Sequence, residues 1–340
     1  MRALQVVRYG PVGRALELRD DVEKPDKGEL KEDEVYVKVC AASINPVDRN
    51  IAWGMLMPLG EVNLPFTIGF DISGWVEAVG SGVSEFSVGD EVIARINSLG
   101  AFQEYVVAPQ QFLAHKPKNV SLVESAGIPL AAQTALQCFE DIDLENKDIK
   151  KAFVPAGLGG VGAYATQLLH NVYKVPFSTT VSTDKVDRTR KLLPNAEIID
   201  YKKEDYTTKL ADVDLVLDTT NDLKNESKIV ANKAIVRSIA ARPHSDEIPN
   251  DYGQVPWIIK KTLDWKFWWD SRWFAGKDVD YWYFLLNTSG ERLKKIVQYI
   301  ENGQIEVITD SVFEWSHAKE AYIKAASGGL TGKVVVKVAE

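Results

Sequence analysis

The stretch that decides the fold is FVPAGLGGVGAYATQLL, which spans residues 153–169. Gly157, Gly159 and Gly162 match the pattern G-x-G-x-x-G, with Gly160 as an additional glycine. An apolar run precedes the pattern and a run with helical spacing follows it, as in a dinucleotide-binding turn. In such turns the glycines permit a tight turn, a close approach of a pyrophosphate and close packing of helix on strand. The stretch therefore predicts a dinucleotide site; the alternative is a glycine-rich turn without a ligand.

On both sides of this turn, short apolar runs alternate with helical segments. The predicted strands are KAFVPA, FSTTVS, AEIIDY, VDLVLDTT and KAIVRSIAA. Strands that are apolar nearly throughout are buried on both faces of a sheet. Together with the intervening helices they predict an α/β fold, a doubly wound parallel sheet of the Rossmann type, over residues 123–287.

The first third of the chain has a different pattern. Val35, Val37 and Val39 alternate with polar residues, and the short runs DISGWVEAV, DEVIARI and EYVVA follow between glycines and prolines. This spacing predicts a compact β-barrel domain over residues 1–122. SLVESAGIPLAAQTALQCF then predicts one helix with a capping-box start. Residues 288–340 hold two helices and the strand GKVVVKV, and we expect this tail to return to the first domain.

Composition and charge bound the possible partners. The chain has 340 residues, 45% of them hydrophobic, and a net charge of −8, so we expect two domains and no nucleic-acid partner. No apolar run approaches the roughly 20 residues of a membrane span. Cys40 and Cys138 are the two cysteines, which is typical of a reducing compartment. Met1 leads directly into a predicted strand without a targeting signature, so we expect a cytoplasmic protein.

Residues 256–284 contain six of the nine tryptophans. One interpretation is packing in the core or at a dimer interface. The other is an aromatic wall over a substrate cleft.

The strand after the glycine loop indicates which nicotinamide is bound. NAD-binding proteins place an acid at the end of this strand, whereas FSTTVS ends in Ser182 and Thr183. Lys185 and Arg188 follow, and a cation there suits a 2′-phosphate. We therefore predict NADPH as the cofactor. Asp184 opposes this prediction, since it could cap the helix or bind a ribose.

Further segments carry a family resemblance. They are SINPVDRN, GFDISGWVEAVGSGVSEFSVGDEVIA, GAFQEYVV and ESAGIPLAAQTAL, followed by the glycine loop and the closing GKVVVKV. Nearly the whole chain resembles the medium-chain dehydrogenase/reductase superfamily, in its zinc-independent quinone oxidoreductase branch of zeta-crystallin-like proteins and enone reductases. The resemblance implies a GroES-like β-barrel catalytic domain with the Rossmann domain inserted. It also suggests a homodimer joined at the edge of the Rossmann sheet.

The resemblance argues against a metal. The zinc-dependent branch has Cys at the position of Asn45 and His at that of Phe70, and its structural lobe needs four cysteines. Without zinc, reducing a polarised C=C bond is easier than oxidising an alcohol, because the carbonyl oxygen needs only hydrogen-bond donors. The resemblance therefore makes Asn45 a catalytic candidate, with Asp48 orienting its loop. The alternative for Asn45 is a structural turn before Pro46.

The resemblance also supplies candidates for cofactor and substrate contacts. The glycine loop and the following strand end already give Gly157, Leu158, Gly159, Gly160, Val161, Gly162, Ser182, Thr183 and Lys185 as cofactor contacts, and the resemblance adds Thr134, Tyr201, Thr219, Ser238, Ile239, Leu285 and Leu286. The candidate substrate contacts are Arg49, Trp53 and Phe70. Relatives often have a Tyr shortly after NPVD, and RNIAWGMLMPLG lacks one, which weakens a quinone assignment and leaves water as the proton donor.

These observations predict an NADPH-dependent, zinc-independent reductase whose substrate is a small α,β-unsaturated carbonyl compound or a quinone. The alternative is a catalytically weak nucleotide-binding scaffold or interaction protein of the same fold.

Overall fold

The computed structural model describes residues 1–55, 63–247 and 255–339. The chain forms two compact units. The first unit comprises Met1–Gln133 and Asn287–Glu340, and the second comprises Thr134–Leu286. The sequence places the domain boundaries after residues 122 and 287. In the structure the boundaries between the two compact units fall after residues 133 and 286.

The described secondary structure alternates strands with mostly short helices. The strands are β1 Ala3–Val6, β2 Leu16–Arg19, β3 Glu34–Ser43, β4 Phe66–Thr67, β5 Asp71–Val79, β6 Glu91–Arg95, β7 Tyr105–Pro109, β8 Leu113–His115, β9 Ala152–Val154, β10 Phe177–Val181, β11 Glu197–Asp200, β12 Val213–Asp218, β13 Val230–Ser238, β14 Asp280–Tyr283, β15 Thr309–Phe313 and β16 Lys333–Lys337. The helices are α1 Val12–Ala15, α2 Pro46–Ala52, α3 Leu122–Ser125, α4 Pro129–Asp141, α5 Gly160–Gln167, α6 Val186–Leu192, α7 Leu223–Ile229, α8 Trp257–Ser271, α9 Gly290–Glu301 and α10 Ala318–Ser327.

The first unit is built around β3. This strand pairs in antiparallel fashion with β5, β7 and β16, within a sheet of order β15-β16-β3-β5-β6-β8. A smaller sheet has the order β2-β1-β4. Because β16 pairs with β3, the C-terminal tail belongs to the same sheet as the N-terminal strands. One apolar core, including Val37, Ile72 and Val336, lies within this unit.

The second unit contains a six-stranded sheet of order β11-β10-β9-β12-β13-β14. Every strand pair in it is parallel, which confirms the predicted doubly wound fold. The chain leaves β9 for β10 on one side and later returns to β12 on the other. Such a reversal of strand order is where ligands bind in these sheets. The sixth strand, β14, lies in the tryptophan-rich segment and was not among the predicted strands.

The single helix predicted from Ser121 onward is wrong in its extent. The structure has two helices, α3 and α4, and α4 begins at Pro129. Proline is favoured at the start of a helix, where its missing N–H is not needed. Ser121 is confirmed as the N-cap, since the Glu124 backbone N–H donates to its hydroxyl at 3.2 Å, while the Glu124 carboxylate accepts from that hydroxyl rather than from the Ser121 backbone.

Among the described residues, no helix combines the length and the apolar character that crossing a membrane requires.

Candidate functional site

The glycine loop connects the middle of the parallel sheet to a helix. It follows β9, and α5 begins at Gly160 with Gly159 as its N-cap. The first N–H groups of a helix have no acceptor within it, and its N-terminal end carries a partial positive charge. The loop therefore presents free donors and a positive dipole end, which is what a pyrophosphate needs.

The structure explains two of the three motif glycines by packing inside the protein. A Cβ on Gly157 would lie 2.0 Å from the Thr179 hydroxyl oxygen on β10, and one on Gly162 would lie 2.3 Å from the Ala156 carbonyl oxygen. The second contact packs the start of α5 closely against the loop that follows β9. The turn itself differs from the expectation, because the left-handed backbone falls on Ala156, with φ of 51°, rather than on Gly157.

Gly159 is the motif glycine that the fold itself requires least. Its φ is −72°, which any residue adopts, and a Cβ there would meet only Ala156, at 3.1 Å from its carbonyl oxygen. An added methyl would therefore need a shift of a few tenths of an ångström. The absence of a side chain at this position fits a ligand that approaches the backbone from outside, as the sequence predicts.

The other predicted cofactor residues of this sheet follow the carboxyl ends of parallel strands. Ser182 follows β10, Thr219 follows β12, Ile239 follows β13 and Leu285 closely follows β14. Since these strands are parallel, their carboxyl ends lie at one edge of the sheet, together with the glycine loop. The fold thus gathers these candidates at the edge where such sheets bind ligands.

Two of these candidates have hydroxyls that are engaged inside the protein. The Thr219 hydroxyl donates to the Pro155 carbonyl at 2.7 Å, which ties β12 to the start of the glycine loop. The Ser238 hydroxyl, fully buried, donates to Asp218 at 2.6 Å and accepts from the N–H of Ala241 at 2.9 Å. Ser238 therefore shapes this edge, and its predicted cofactor contact stays a prediction.

The end of β10 carries more acidic groups than the sequence indicated. A hydrogen bond from Ser182 lowers the pKa of Asp184. Asp200, which pairs with Val181 across the sheet, is a second acid. Although burial opposes it, hydrogen bonds from Thr183 and Lys202 lower the pKa of Asp200. Both acids are thus engaged locally.

Basic and aromatic side chains share the end of β10 with these acids. Lys203 forms an ion pair with Asp200 at 3.6 Å. Tyr201 is 49% exposed, with the Lys202 ammonium 5.1 Å from its ring centre. An exposed ring next to cations fits an adenine carrying a 2′-phosphate.

The first unit holds a buried polar network around Asp71. Its carboxylate accepts hydrogen bonds from the Ser43 hydroxyl at 3.1 Å, the Asn45 amide at 2.9 Å and the Leu130 backbone at 2.9 Å. The Lys333 ammonium lies 3.8 Å from the same carboxylate. Burial raises the pKa of Asp71 and lowers that of Lys333. The hydrogen bonds and the ion pair favour the charged forms of both groups.

This network fixes the catalytic candidate Asn45. Its Nδ2 donates to Asp71, and its Oδ1 accepts from Lys333. The side chain is 2% exposed. The amide oxygen and one of the two amide hydrogens therefore have partners inside the protein, which gives the Asn45 side chain a structural role in this network. The predicted contact with a substrate or cofactor stays a prediction.

Asp48 is fully buried beside Asn45. One carboxyl oxygen accepts from the Asn45 backbone at 2.8 Å and from the Tyr322 hydroxyl at 3.4 Å. The other has no hydrogen-bond partner among the described residues. Burial raises the pKa of Asp48 to about 7, against the hydrogen bond from Asn45. Asp48 therefore holds the loop, as predicted, and is partly protonated near neutral pH.

The raised pKa of Asp48 predicts a pH effect on stability. The folded value of about 7 exceeds the model-compound value of 3.8, so protonation favours the folded state. The free energy of unfolding that the raised pKa of Asp48 contributes is fully present below about pH 4, and it is lost as the pH rises through about 7. We expect Asp48→Asn to lack this loss, so that its stability relative to the wild type increases between pH 4 and 7 in urea titrations.

The difference in stability between Asp48→Asn and the wild type reports on Asp48 and not on other buried acids. Burial also raises the pKa of Glu226, but Glu226 is present in both proteins and cancels in the difference. The control is Asp148→Asn, whose carboxylate is 86% exposed and should give a difference that does not change with pH. A flat difference for Asp48→Asn as well would contradict the assignment.

The three predicted substrate residues occupy different environments. Arg49 is exposed and Trp53 is 58% exposed. Phe70 is buried, and the Arg95 guanidinium lies 5.0 Å from its ring centre. Residues 56–60 of the altered loop lie outside the described residues. Phe70 is thus a packing residue in this unit, and the substrate contacts stay predictions.

Sequence reasoning missed the partners that hold Asn45. Lys333 opens the strand in GKVVVKV and Asp71 follows GF at the start of β5, and a charged residue directly before an apolar run is the signal that could have identified them. Gln133 is a further buried group. Its carbonyl accepts from the Ser289 backbone at 2.8 Å, whereas its Nε2 has no partner among the described residues. This amide is an available donor next to Thr134 in the chain.

Within the part of the chain that the structure describes, no three His, Cys, Asp or Glu side chains are placed to hold a metal ion.

Two family models match the chain. The alcohol dehydrogenase GroES-like domain matches residues 31–118, and the zinc-binding dehydrogenase domain matches residues 193–336. These two ranges cover parts of both units.

Known proteins match over nearly the whole chain. The chloroplast envelope quinone oxidoreductase homolog of Arabidopsis thaliana is 30% identical over 352 residues, covering 99% of this chain and 98% of that protein. The NADPH-dependent alkenal/one oxidoreductase of the same plant is 29% identical over 350 residues, covering 99% and 79%. The solved quinone oxidoreductase from Coxiella burnetii superposes with a TM-score of 0.82 at 25% identity, covering 100% and 99% of the two chains.

Proposed function

Because this chain belongs to the medium-chain dehydrogenase/reductase superfamily, in its quinone oxidoreductase branch, we propose that it is an NADPH-dependent, zinc-independent reductase of α,β-unsaturated carbonyl compounds or quinones. The single observation that carries the proposal is the glycine loop at the point where the strand order of the parallel sheet reverses. Its relatives include an NADPH-dependent alkenal/one oxidoreductase and quinone oxidoreductases, which supports the substrate class.

The residues at this edge of the second unit fit NADPH. The N-terminus of α5 offers backbone donors for the pyrophosphate. Because Gly159 has no side chain, the pyrophosphate can come close to the backbone there. Lys185 supplies a positive charge for the 2′-phosphate, and Tyr201 an exposed ring for the adenine. When bound, NADPH supplies a hydride. The zinc-independent part of the proposal rests on Asn45 and Phe70, whose side chains are poor zinc ligands.

The first unit contributes a rigid frame next to the NPVD motif. The Lys333–Asp71 pair fixes the Asn45 side chain, and Asp48 fixes its backbone. Residues held in this way are pre-organised, so donors near them lose little freedom when a substrate binds.

The alternative function is a nucleotide-binding scaffold with weak catalysis. The observation that favours it is the Asn45 amide, because both of its ends already have partners inside the protein. The two functions differ in turnover, since both predict that NADPH binds.

One experiment separates these functions. NADPH and NADH are titrated into the full chain by calorimetry, and NADPH oxidation is then followed with enones and quinones. NADPH binding with turnover supports the reductase, and binding without turnover supports the scaffold. If NADPH does not bind, both are wrong.

The choice of NADPH over NADH can be tested at Lys185. Lys185→Ala removes the charge proposed for the 2′-phosphate and leaves the pyrophosphate donors intact. A charge-assisted hydrogen bond is worth about 1.5–3 kcal/mol, so the Kd for NADPH should rise roughly 10- to 100-fold while the Kd for NADH changes little. The control is Lys191→Ala, an exposed lysine on α6, which should affect neither. Equal losses for both cofactors would contradict the assignment.

The proposal includes a cytoplasmic homodimer. A sheet edge can extend into a second copy, and β14 is the end strand of the described sheet. Sedimentation velocity of the purified chain would measure this assembly, and cell fractionation would measure the location.

A further inference from the structure

Helix α8 exposes an apolar face to solvent. The exposed fractions are 75% for Trp257, 60% for Ile258, 57% for Trp265, 52% for Trp268 and 45% for Trp269; we call these five residues the tryptophan face. No residue of α8 is buried. The interpretation of this segment as core packing is therefore wrong for these side chains, and their exposure needs another explanation.

The tryptophan face is one continuous surface of the helix. At about 100° per residue, its five members fall within an arc of about 120°. The opposite side of α8 faces the second unit, where Phe267 packs against His244, Tyr281 and Trp282. A helix on a soluble domain normally turns its one apolar stripe inward. Helix α8 has an inward apolar contact through Phe267 and, in addition, the exposed apolar stripe of the tryptophan face.

Two cations in and beside α8 lie within the arc of the tryptophan face, whereas Lys260 and Lys266 lie outside it. Lys261, on α8, and Arg272, which directly follows the helix, are exposed and fall within the arc of the tryptophan face. The Arg272 guanidinium lies 5.0 Å and 5.2 Å from the ring centres of Trp268 and Trp269. The outward side is therefore aromatic and positively charged, on a chain whose net charge is −8.

The two acids of α8 differ in position: Asp264 borders the arc beside Lys261, and Asp270 lies on the inner side. Asp264 accepts from the Ser245 backbone at 3.0 Å and pairs with His244 at 3.4 Å. Asp270 is 4.0 Å from Lys266 and its carboxylate is 14% exposed. Neither acid lies within the arc, and with Asp264 at its border the cations Lys261 and Arg272 still outnumber the acids of the outward surface.

We propose that the tryptophan face binds the surface of an anionic lipid bilayer, with α8 lying in the plane of the membrane. Tryptophan favours the membrane–water interface, where its ring is buried and its N–H stays near polar groups. Lysine and arginine next to such rings extend toward anionic headgroups. Helix α8 has 15 residues and so is about 22 Å long, enough for peripheral contact. This function adds to the proposed reductase activity and does not depend on it.

A second copy of the chain is a less suitable occupant. In a two-fold interface the same patch faces itself, so Lys261 and Arg272 of the two copies would be brought close together. Like charges in a desolvated interface are unfavourable. An anionic headgroup layer instead neutralises both cations, and each cation near such a surface strengthens binding.

The test is flotation of the full chain with vesicles of phosphatidylcholine alone and with 30% phosphatidylserine, at about 0.1 M salt. The wild type should float with the anionic vesicles and much less with the neutral ones. The emission of its tryptophans should shift to the blue on binding. Lys261→Glu/Arg272→Glu should weaken partitioning at least about 25-fold, because each removed cation is worth roughly one kcal/mol. Trp265→Ala/Trp268→Ala should weaken it on the order of 100-fold.

Matched variants control for charge and for loss of a ring. Lys147→Glu/Lys191→Glu removes two exposed lysines of the same unit and changes the net charge equally. Trp53→Ala removes a tryptophan of similar exposure from the first unit. Both should bind vesicles as the wild type does. The proposal is overturned if the folded wild type does not float, or if the controls weaken binding as much as the tryptophan-face variants. It is also overturned if sedimentation shows a dimer that Trp265→Ala/Trp268→Ala dissociates.

Discussion

The Lys333→Met variant is expected to lose about 3–5 kcal/mol of unfolding free energy. Lys333 is 4% exposed and is bonded to the Ile44 carbonyl at 2.9 Å and to the Asn45 side chain. Methionine fills a similar volume but leaves the carboxylate of Asp71 buried without a cation. The loss is measured by urea unfolding of the full chain.

Two further variants separate the network from a general effect of losing a lysine. Lys337→Met lies on the same strand, where the lysine is 41% exposed and pairs with Glu314; it should cost less than about 1 kcal/mol. Lys333→Met/Asp71→Asn removes both charges, so it should recover part of the loss. If Lys333→Met is no more costly than Lys337→Met, the network does not stabilise this unit.

The second large effect is expected at the glycine loop. Gly162→Ala places a Cβ 2.3 Å from the Ala156 carbonyl oxygen, and backbone atoms cannot rotate away as a side chain can. Helix α5 must therefore move away from the loop that follows β9, which should cost about 1–3 kcal/mol of stability. The displaced helix N-terminus should also weaken NADPH binding on the order of 100-fold, because a shift of about 1 Å misplaces the donors. Calorimetric titration and urea unfolding measure the two effects.

Gly159→Ala is the informative comparison. Its Cβ would lie 3.1 Å from the same carbonyl oxygen, so the fold should tolerate it with a loss under about 1 kcal/mol. If a pyrophosphate approaches this backbone, the variant should still lose about tenfold or more in affinity for NADPH, the effect of losing one hydrogen bond to a charged group. Gly13→Ala, whose Cβ would make an ordinary 3.5 Å contact with Ile323, should change neither quantity. If Gly159→Ala binds NADPH with the affinity of the wild type, the pyrophosphate does not bind at the glycine loop.

The fold was largely predictable because its signals are local. The five predicted strands of the second unit need only apolar runs of the right length, and the glycine pattern needs only its neighbours in the chain. β14 was missed because its aromatic composition matches the preceding helix, and only its pairing with β13 identifies it as a strand. The break between α3 and α4 was missed although Pro129 marks it.

The site was less predictable because its chemistry depends on residues far apart in the chain. Asn45 and Lys333 are separated by 288 residues, and their bond exists only because β16 pairs with β3. The sequence indicates Asn45 as a donor beside a motif, but it does not show that this donor already has an acceptor. Asp200 lies beside the end of β10 for the same reason, through strand pairing.

The amino-acid sequence by itself determined the class of this protein. The glycine loop, the alternation of apolar strands with helices, and Asn45 and Phe70 in their motifs are patterns of neighbours, and local steric and hydrophobic rules act on neighbours. The tertiary structure alone decided which polar groups have hydrogen-bond partners inside the protein and whether the tryptophans of α8 are buried or exposed. Burial and hydrogen bonding are set by all the surrounding chain, so the same Trp or Asn can be core, site or surface until that packing is known.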